Sequence, residues 1–316
     1  MSAADGAVAP GSGLPADLTL LGIDIGGTKS RARLCAGGRV VAESRAPSAS
    51  LPASGPAGAK AALAELLAGV RVDQAAPVDA IGVGSAGLSL PGAREFLREH
   101  LAPLTRSGEL VIVADAMLVL SAAGLDAGVA VVCGTGSVAV GSFAGRSVQV
   151  GGWGYLLGDE GCGYWIVREA MRTLLSRRDA GRPAGELGAQ LLAATGAADL
   201  PAMHRLFYTQ PHLPSGWARH AGVVLDSSDS DAVAIAARAA DAVAGLAASA
   251  SQQLGSPVSL PVVLGGGLLG NAAFRDAACN AVAQILPGAD VRVPADEPVA
   301  GAVRLAALAA TQNTQA

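Results

Sequence analysis

Aromatic residues are scarce in this chain: three Trp, three Tyr and four Phe make up 3% of 316 residues. Charge is thin as well, at 15%, with 22 Lys and Arg against 26 Asp and Glu and a net charge of -4. A chain without surplus basic charge lacks the footprint that nucleic-acid or anionic-membrane binding needs, so neither partner is expected. Long apolar runs free of charge are missing too. Leu110 to Leu120 is interrupted by Asp115, and Ala232 to Ala250 by Arg238 and Asp241, which argues against a transmembrane span. The four cysteines, Cys35, Cys133, Cys162 and Cys279, are widely spaced without a Cys-x-x-Cys, and the four histidines form no ligand cluster with them. A disulfide framework, structural zinc and a redox motif are therefore not expected, and a cytoplasmic location with reduced thiols is the default. The first 17 residues lack the basic and apolar regions of a secretory signal and read as a disordered leader.

What the chain has is apolar residue, 51% of it, which excludes a disordered polymer. Its length predicts one large or two medium domains with a sizeable core, and leaves small molecules or a second copy of the chain as partners. Leu18 to Ile25 is an apolar run ended by Gly26-Gly27, and the alternating Ser30 to Cys35 leads through Gly37-Gly38 to Val40 to Ser44, a pattern of strands and tight turns. Helical and strand patterns then alternate: 56–70, 81–84, 94–104 and 110–114. At Val129 the pattern restarts, because Val129 to Cys133, Gly134-Thr135-Gly136-Ser137 and Val138 to Phe143 repeat the opening strand, glycine turn and strand. Two halves of related fold are expected, each offering one glycine turn to a shared cleft, with the boundary near 116–128. Helices at 164–177 and 231–254, a strand at 262–264, a helix through 271–285, a strand at 291–294 and a helix at 299–310 complete the second half.

Glycine turns with a hydroxyl residue suit phosphate, since backbone N–H groups without a neighbouring Cβ converge on an anion. Gly26-Gly27-Thr28, Gly134-Thr135-Gly136 and Gly265-Gly266-Gly267 each follow an apolar strand, whereas a Gly-x-x-x-x-Gly-Lys-Ser/Thr loop is missing. Lys29 beside the first turn reads equally as a phosphate contact or a solvated charge. Gly82-Val83-Gly84-Ser85-Ala86-Gly87 imitates a dinucleotide fingerprint but runs into Leu88-Ser89-Leu90-Pro91-Gly92, a loop where that motif needs a helix. Asp115 ends an apolar strand, where a carboxylate is costly to bury, and so is the candidate base for a substrate hydroxyl; capping a helix from Ala116 is the competing role. Asp24 ends the first strand and is the candidate to hold Mg²⁺ through water, or else stabilises its turn. The segment Gly151 to Gly163 gathers glycines around Trp153, Asp159 and Glu160, which suits a loop holding a sugar face on indole; a buried structural Trp is the alternative. The spacing of His204, His212 and His220 reads as coincidence on a polar, loop-like surface.

Gly22 to Ser30, Asp115, Gly134 to Ser137, Gly152-Trp153-Gly154 through Gly158-Asp159-Glu160-Gly161, and Leu264 to Gly267 together resemble the sugar kinase, heat-shock chaperone and actin superfamily. Within it the chain, over roughly 18–312, is most similar to the BadF/BadG-type ATPase and N-acetylglucosamine kinase family. The resemblance implies an α/β protein of two ribonuclease-H-like, actin-like ATPase domains, 18–117 with 298–312 and 118–297, around a central nucleotide and sugar cleft. It implies ATP and Mg²⁺ as cofactors and transfer of phosphate to the 6-hydroxyl of an amino sugar. Thr28 and Thr135 fall on ATP phosphates, Gly265 to Gly267 near adenosine, and Asp115 is the base. Gly152, Trp153, Gly154 and Asp159 line the sugar, with Ser137 nearby and Ser85 on a sugar-side loop. The departures are Cys162 where a Ser is common and Val138 where a polar residue often follows the second turn. N-acetylglucosamine is the expected sugar, with glucosamine, for which Glu160 is a candidate partner, or another hexose as alternatives. A different class is an ATPase that activates a partner dehydratase through an iron-sulfur cluster bridging a dimer, which requires cysteines at an interface.

Overall fold

The structure, a computed structural model, describes residues 14–209, 214–256 and 259–313. The chain divides into two units, residues 1–126 with 294–316 and residues 127–293.

The first unit opens with an antiparallel meander of β1 (Thr19–Ile25), β2 (Lys29–Ala36) and β3 (Arg39–Pro47). There follow α1 (Leu51–Val70), β4 (Val78–Ser85), α2 (Ala93–Leu101), β5 (Thr105–Ala114) and α3 (Asp115–Ala122). The sheet order is β3-β2-β1-β4-β5, with β4 parallel to β1 and to β5. β1 is apolar at almost every position because both of its faces are covered. Leu21, Ile23 and Ile25 meet Leu63 and Leu66 of α1 and Leu97 of α2 on one side, while Leu20 and Ala80 meet Val303 and Ala306 of the C-terminal helix (Pro298–Asn313) on the other. That helix lies directly on the strands. A Cβ at Gly22 would sit 2.6 Å from the Val303 nitrogen, one at Gly82 would strike the Ala302 carbonyl oxygen, and the space beside Gly84 is filled by Leu118 of α3. The glycines that imitate a dinucleotide fingerprint are thus packing glycines.

Several expectations shift here. Residues 14–17 do not belong to a free leader, since Leu14 packs with Leu18 against the Leu20–Val303 cluster; residues 1–13 lie outside the described residues. A helical turn from Leu51 precedes the expected helix over 56–70, and non-helical Gly55 (φ 65°) separates the two ahead of Pro56. The division falls at Asp126/Ala127 rather than 117/118, because α3 packs on the C-terminal helix: Ser121 Oγ donates to the Gly301 carbonyl at 3.0 Å.

The second unit repeats the plan. β6 (Gly128–Cys133), β7 (Ser137–Phe143) and β8 (Arg146–Gly151) form the meander. Five helices follow, α4 (Gly163–Asp179), α5 (Gly185–Thr195), α6 (Leu200–Thr209), α7 (Ser215–Ala218) and α8 (Ala221–Leu225), then α9 (Ser230–Leu254), β9 (Val262–Gly265), α10 (Ala272–Ile285) and β10 (Val291–Arg292). The order β10-β9-β6-β7-β8, with β9 parallel to β6 and to β10, is the first sheet drawn again. This is the ribonuclease-H-like sheet, twice. α9 is the one described helix long and apolar enough to cross a membrane, yet Ala232, Ile235, Ala239, Val243 and Ala247 recur along one face and pack in the core with Val129 and Val131. His204 lies in α6 and His220 is buried against Trp217, so neither belongs to a polar loop; His212 lies outside the described residues.

Candidate active site

In the first unit the parallel strands β1, β4 and β5 bring their carboxyl ends to one edge of the sheet. Asp24 pairs with Gly84, Ile25 with Ser85, and Ser85 with Ala114, so Asp24, Ser85 and Asp115 stand side by side. In α/β sheets this is the edge where ligands gather. Asp115 Oδ1 accepts from its neighbour Ala116 N–H at 2.9 Å, so the residue ends the strand and opens α3 at once. The helix-cap reading is not borne out, because Ala114 holds the N-cap position of α3 and Asp115 already lies in its first turn. Burial pushes the Asp115 carboxyl upward, opposed by that backbone bond. Asp24 is pushed up to about 7, first by burial and then by the Asp115 charge, against the pull of Arg31 and Lys29. A carboxylate whose proton affinity is raised by burial and by the charge of a second carboxylate beside it marks a place where a proton or a cation is wanted.

The first glycine turn is closed by Gly26 N–H donating to the Lys29 carbonyl at 3.0 Å, and Ser48 Oγ holds the Gly26 carbonyl at 2.7 Å. Gly27, Thr28 and Lys29 are exposed at its tip. Ser85 is buried, with its hydroxyl 3.1 Å from the Ala86 carbonyl. Sequence reasoning missed Arg31 and Arg33. Arg31 stands directly across β1 and β2 from Asp24 and pairs with Glu297, while Arg33 binds Asp296 at 3.1 Å and Glu43 at 2.6 Å. Alternation along β2 was the available signal, but the acidic partners lie far off in sequence.

The second unit places backbone where the first places carboxylates. Gly134 N–H donates to the Gly136 carbonyl at 2.9 Å, and the Gly134 carbonyl accepts from Gly163 N–H at 2.8 Å, tying the turn to the start of α4. Gly266, at φ 104°, lays its backbone on Cys133 so closely that a Cβ would come within 2.6 Å of the Cys133 carbonyl carbon. The turns after β6 and β9 are therefore neighbours, with Gly267 N 3.9 Å from the Cβ position of Gly134. Asp159 adopts a left-handed φ of 59°. Its Oδ1 accepts from Gly154 N–H at 3.2 Å and its Oδ2 sits 2.6 Å from where a Cβ on Gly136 would be. Only glycine at 136 admits that carboxylate, which latches the Gly152–Gly163 loop to the turn. Burial raises the Asp159 carboxyl, and the Gly154 N–H opposes it. Ser137 Oγ donates to the Glu160 carbonyl at 2.8 Å. Trp153 is 76% exposed, which removes the reading of a buried structural Trp. Gly152 (φ 72°) and Gly154 (φ 85°) flank it in conformations that favour glycine.

A sequence model of the BadF/BadG/BcrA/BcrD ATPase family matches residues 21–310. The chain belongs to this family. Among relatives, an N-acetylmuramic acid/N-acetylglucosamine kinase of Clostridium acetobutylicum is 36% identical over 103 residues, 32% of this chain and 33% of the relative. An N-acetyl-D-glucosamine kinase of Dictyostelium discoideum is 34% identical over 190 residues, 54% of this chain and 59% of the relative. The chain thus spans less than two thirds of the length of either. A solved structure from Chromobacterium violaceum, provisionally named an N-acetylglucosamine kinase, superposes with a TM-score of 0.70 at 28% identity, covering 92% of this family member and 99% of that chain.

Proposed function

We propose that the protein transfers the γ-phosphoryl group of ATP to the 6-hydroxyl of N-acetylglucosamine. The observation that carries this reading is the Asp24–Ser85–Asp115 row at the strand ends of a family ATPase. Asp115 accepts the proton of the attacking hydroxyl; its raised proton affinity brings it nearer the operating pH, where a general base works best. The glycine turns at Gly26-Gly27-Thr28-Lys29, Gly134-Thr135-Gly136 and Gly265-Gly266-Gly267 offer N–H donors and hydroxyls to the nucleotide. Mg²⁺ fits the donor set at Asp24, since it takes oxygen ligands and is usually held by one or two carboxylates with water and substrate phosphates completing its shell. When bound, the ion neutralises charge on the transferred group. Gly152, Trp153, Gly154 and Asp159, with Ser85 and Ser137, are assigned to the sugar.

The dehydratase-activating reading has less support. A thiol that holds a cluster against a partner subunit must reach the surface, and Cys35, Cys133 and Cys162 are buried while Cys279 alone is half-buried. The deciding experiment is ADP release with MgATP against N-acetylglucosamine, glucosamine, glucose, N-acetylmannosamine and no sugar, for the wild type and Asp115→Asn. Stimulation by N-acetylglucosamine that falls about 10²- to 10⁴-fold in the variant is expected. Sugar-independent hydrolysis would overturn the reading.

A further inference from the structure

Three arginines of the second unit share one carboxylate. Arg168 Nε and an Arg172 nitrogen each lie 3.2 Å from Glu169 Oε1, and an Arg238 nitrogen from α9 lies 3.6 Å from Oε2. Glu169 is only 8% exposed, whereas the Arg172 and Arg238 side chains are 71% and 53% exposed. Among the described residues, Glu169 is the sole ion-pair partner of all three. Three cations on one anion leave a local surplus of positive charge in a chain whose net charge is -4. Each guanidinium carries five donors and one carboxylate has about four acceptor sites, so most of those donors remain available. Arg168 and Arg172 are moreover like charges one helical turn apart, an arrangement that costs helix stability and that an anion relieves.

The cluster is held in place and sits beside the loop assigned to sugar. The Arg238 guanidinium lies over the Trp165 ring, 5.3 Å from its centroid. The next residue, Ala239, presents its carbonyl oxygen 2.6 Å from where a Cβ on Gly161 would be, so α9 abuts the end of the Gly158–Gly161 segment at this point. Arg168 belongs to α4, which Cys162 caps directly after the same segment.

We propose that Arg168, Arg172 and Arg238, anchored by Glu169, form a binding site for a small ligand bearing a carboxylate or phosphate, next to the sugar loop. Guanidinium forks match both groups. The anion comes either as a substituent on the sugar or as a separate metabolite. The link to sugar rests on the kinase reading, whereas anion binding itself does not.

The test is calorimetric titration of inorganic phosphate into the protein saturated with a non-hydrolysable ATP analogue, which keeps the glycine turns filled. Saturable binding is expected, weakened at least tenfold in the Arg168→Gln/Arg238→Gln double variant. The exposed Arg172→Gln, which leaves the Trp165 contact intact, is expected to weaken it about threefold. No saturable binding, or equal affinity in variants that melt like the wild type, overturns the proposal. Kinetics then separate the two sources. A raised KM in the double variant only for N-acetylglucosamine carrying a carboxylate ether at its 3-oxygen supports a sugar substituent. Loss of a phosphate effect on N-acetylglucosamine turnover supports a separate ligand. Should no sugar be phosphorylated at all, the function proposed above fails while the phosphate titration still decides this site.

Discussion

The two units carry the same five-stranded sheet and load the same strand ends with opposite chemistry. In the first, β1, β4 and β5 end in Asp24, Ser85 and Asp115, two carboxylates that accept protons and attract cations on either side of a hydroxyl. In the second, the equivalent β6 and β9 end in Gly134 and in Gly265-Gly266-Gly267, where side chains are removed so that backbone groups crowd together. The topology fixes where parallel strands end; the residues there decide whether that edge presents carboxylates or bare backbone.

The sharpest way to break this contrast is to give each unit one methyl group. Gly266→Ala forces a Cβ onto the Cys133 backbone at a φ of 104°, which L side chains rarely adopt, so strain and overpacking add to a loss of about 2–5 kcal/mol with loss of nucleotide binding. Gly82→Ala pushes against the C-terminal helix at Ala302 without a φ penalty, for about 1–3 kcal/mol. Urea unfolding and binding of a fluorescent ATP analogue check both. Equal nucleotide affinity in Gly266→Ala and the wild type would break the assignment of that turn.

Asp24 of the first unit and Asp229 of the second respond to pH with opposite sign. Asp24 rises from its ordinary 3.8 to about 7 in the folded chain, so the native state binds the extra proton between those values. Its contribution is fully present below pH 3.8 and is lost as pH rises through 7. Asp229 of the second unit, hydrogen-bonded by Arg177 at 2.6 Å, is lowered to about 2. Its contribution is present above 3.8 and is lost as pH falls toward 2. Thermal melting from pH 8 down is therefore expected to show stability gained toward pH 4 and then shed below it. Asp24→Asn should reduce the first slope, to which the raised Asp115 and Asp159 carboxyls also contribute, and Asp229→Asn the second; a slope between pH 4 and 7 unchanged by Asp24→Asn would refute the raised proton affinity of Asp24.

Much of the first unit and the glycine turns were legible because β1, apolar but for Asp24 and its first residue, and β6 and β9 are apolar runs punctuated by glycine. The region 180–225 was not. Pro183, Gly185, Gly196, Pro201 and Pro214 interrupt any 3.6-residue period, and the helices there are ordered by contacts between separate elements, with the Phe207 ring of α6 4.6 Å from Trp217 of α7 and 5.8 Å from Tyr164 of α4. Likewise Arg33 and Asp296 are 263 positions apart, a pairing that no local window contains. At the candidate site, residue types such as Asp24 and Asp115 were readable. The latch of Asp159 on Gly136 was not, since it depends on where the loop folds back.

Trp153 offers a smaller and cleaner contrast between site and scaffold. Being 76% exposed, it contributes little to packing, so Trp153→Ala should leave the melting temperature unchanged. Loss of one stacking face, worth about 1 kcal/mol, should raise the KM for sugar roughly five- to tenfold with kcat retained. An unchanged KM would move the sugar away from this loop.

The smallest effect is expected at Cys162. The thiol accepts from Trp165 N–H at 3.4 Å and so caps α4, while its neighbour Cys133 Sγ lies 3.2 Å from the Gly161 carbonyl oxygen. Burial pushes the Cys162 thiol up to about 11, so at neutral pH it is a small apolar body and not a nucleophile. Serine would cap the helix more strongly but bury a hydroxyl where a thiol was at ease, two terms of about 1 kcal/mol with opposite sign. Cys162→Ser is therefore expected to change unfolding free energy by less than about 0.5 kcal/mol and to leave sugar-stimulated ADP release intact. A loss above about 2 kcal/mol would instead mean that the two buried thiols pack as a unit, joining the Gly134 turn to the Gly152–Gly163 loop through sulfur rather than through the Gly163 to Gly134 hydrogen bond.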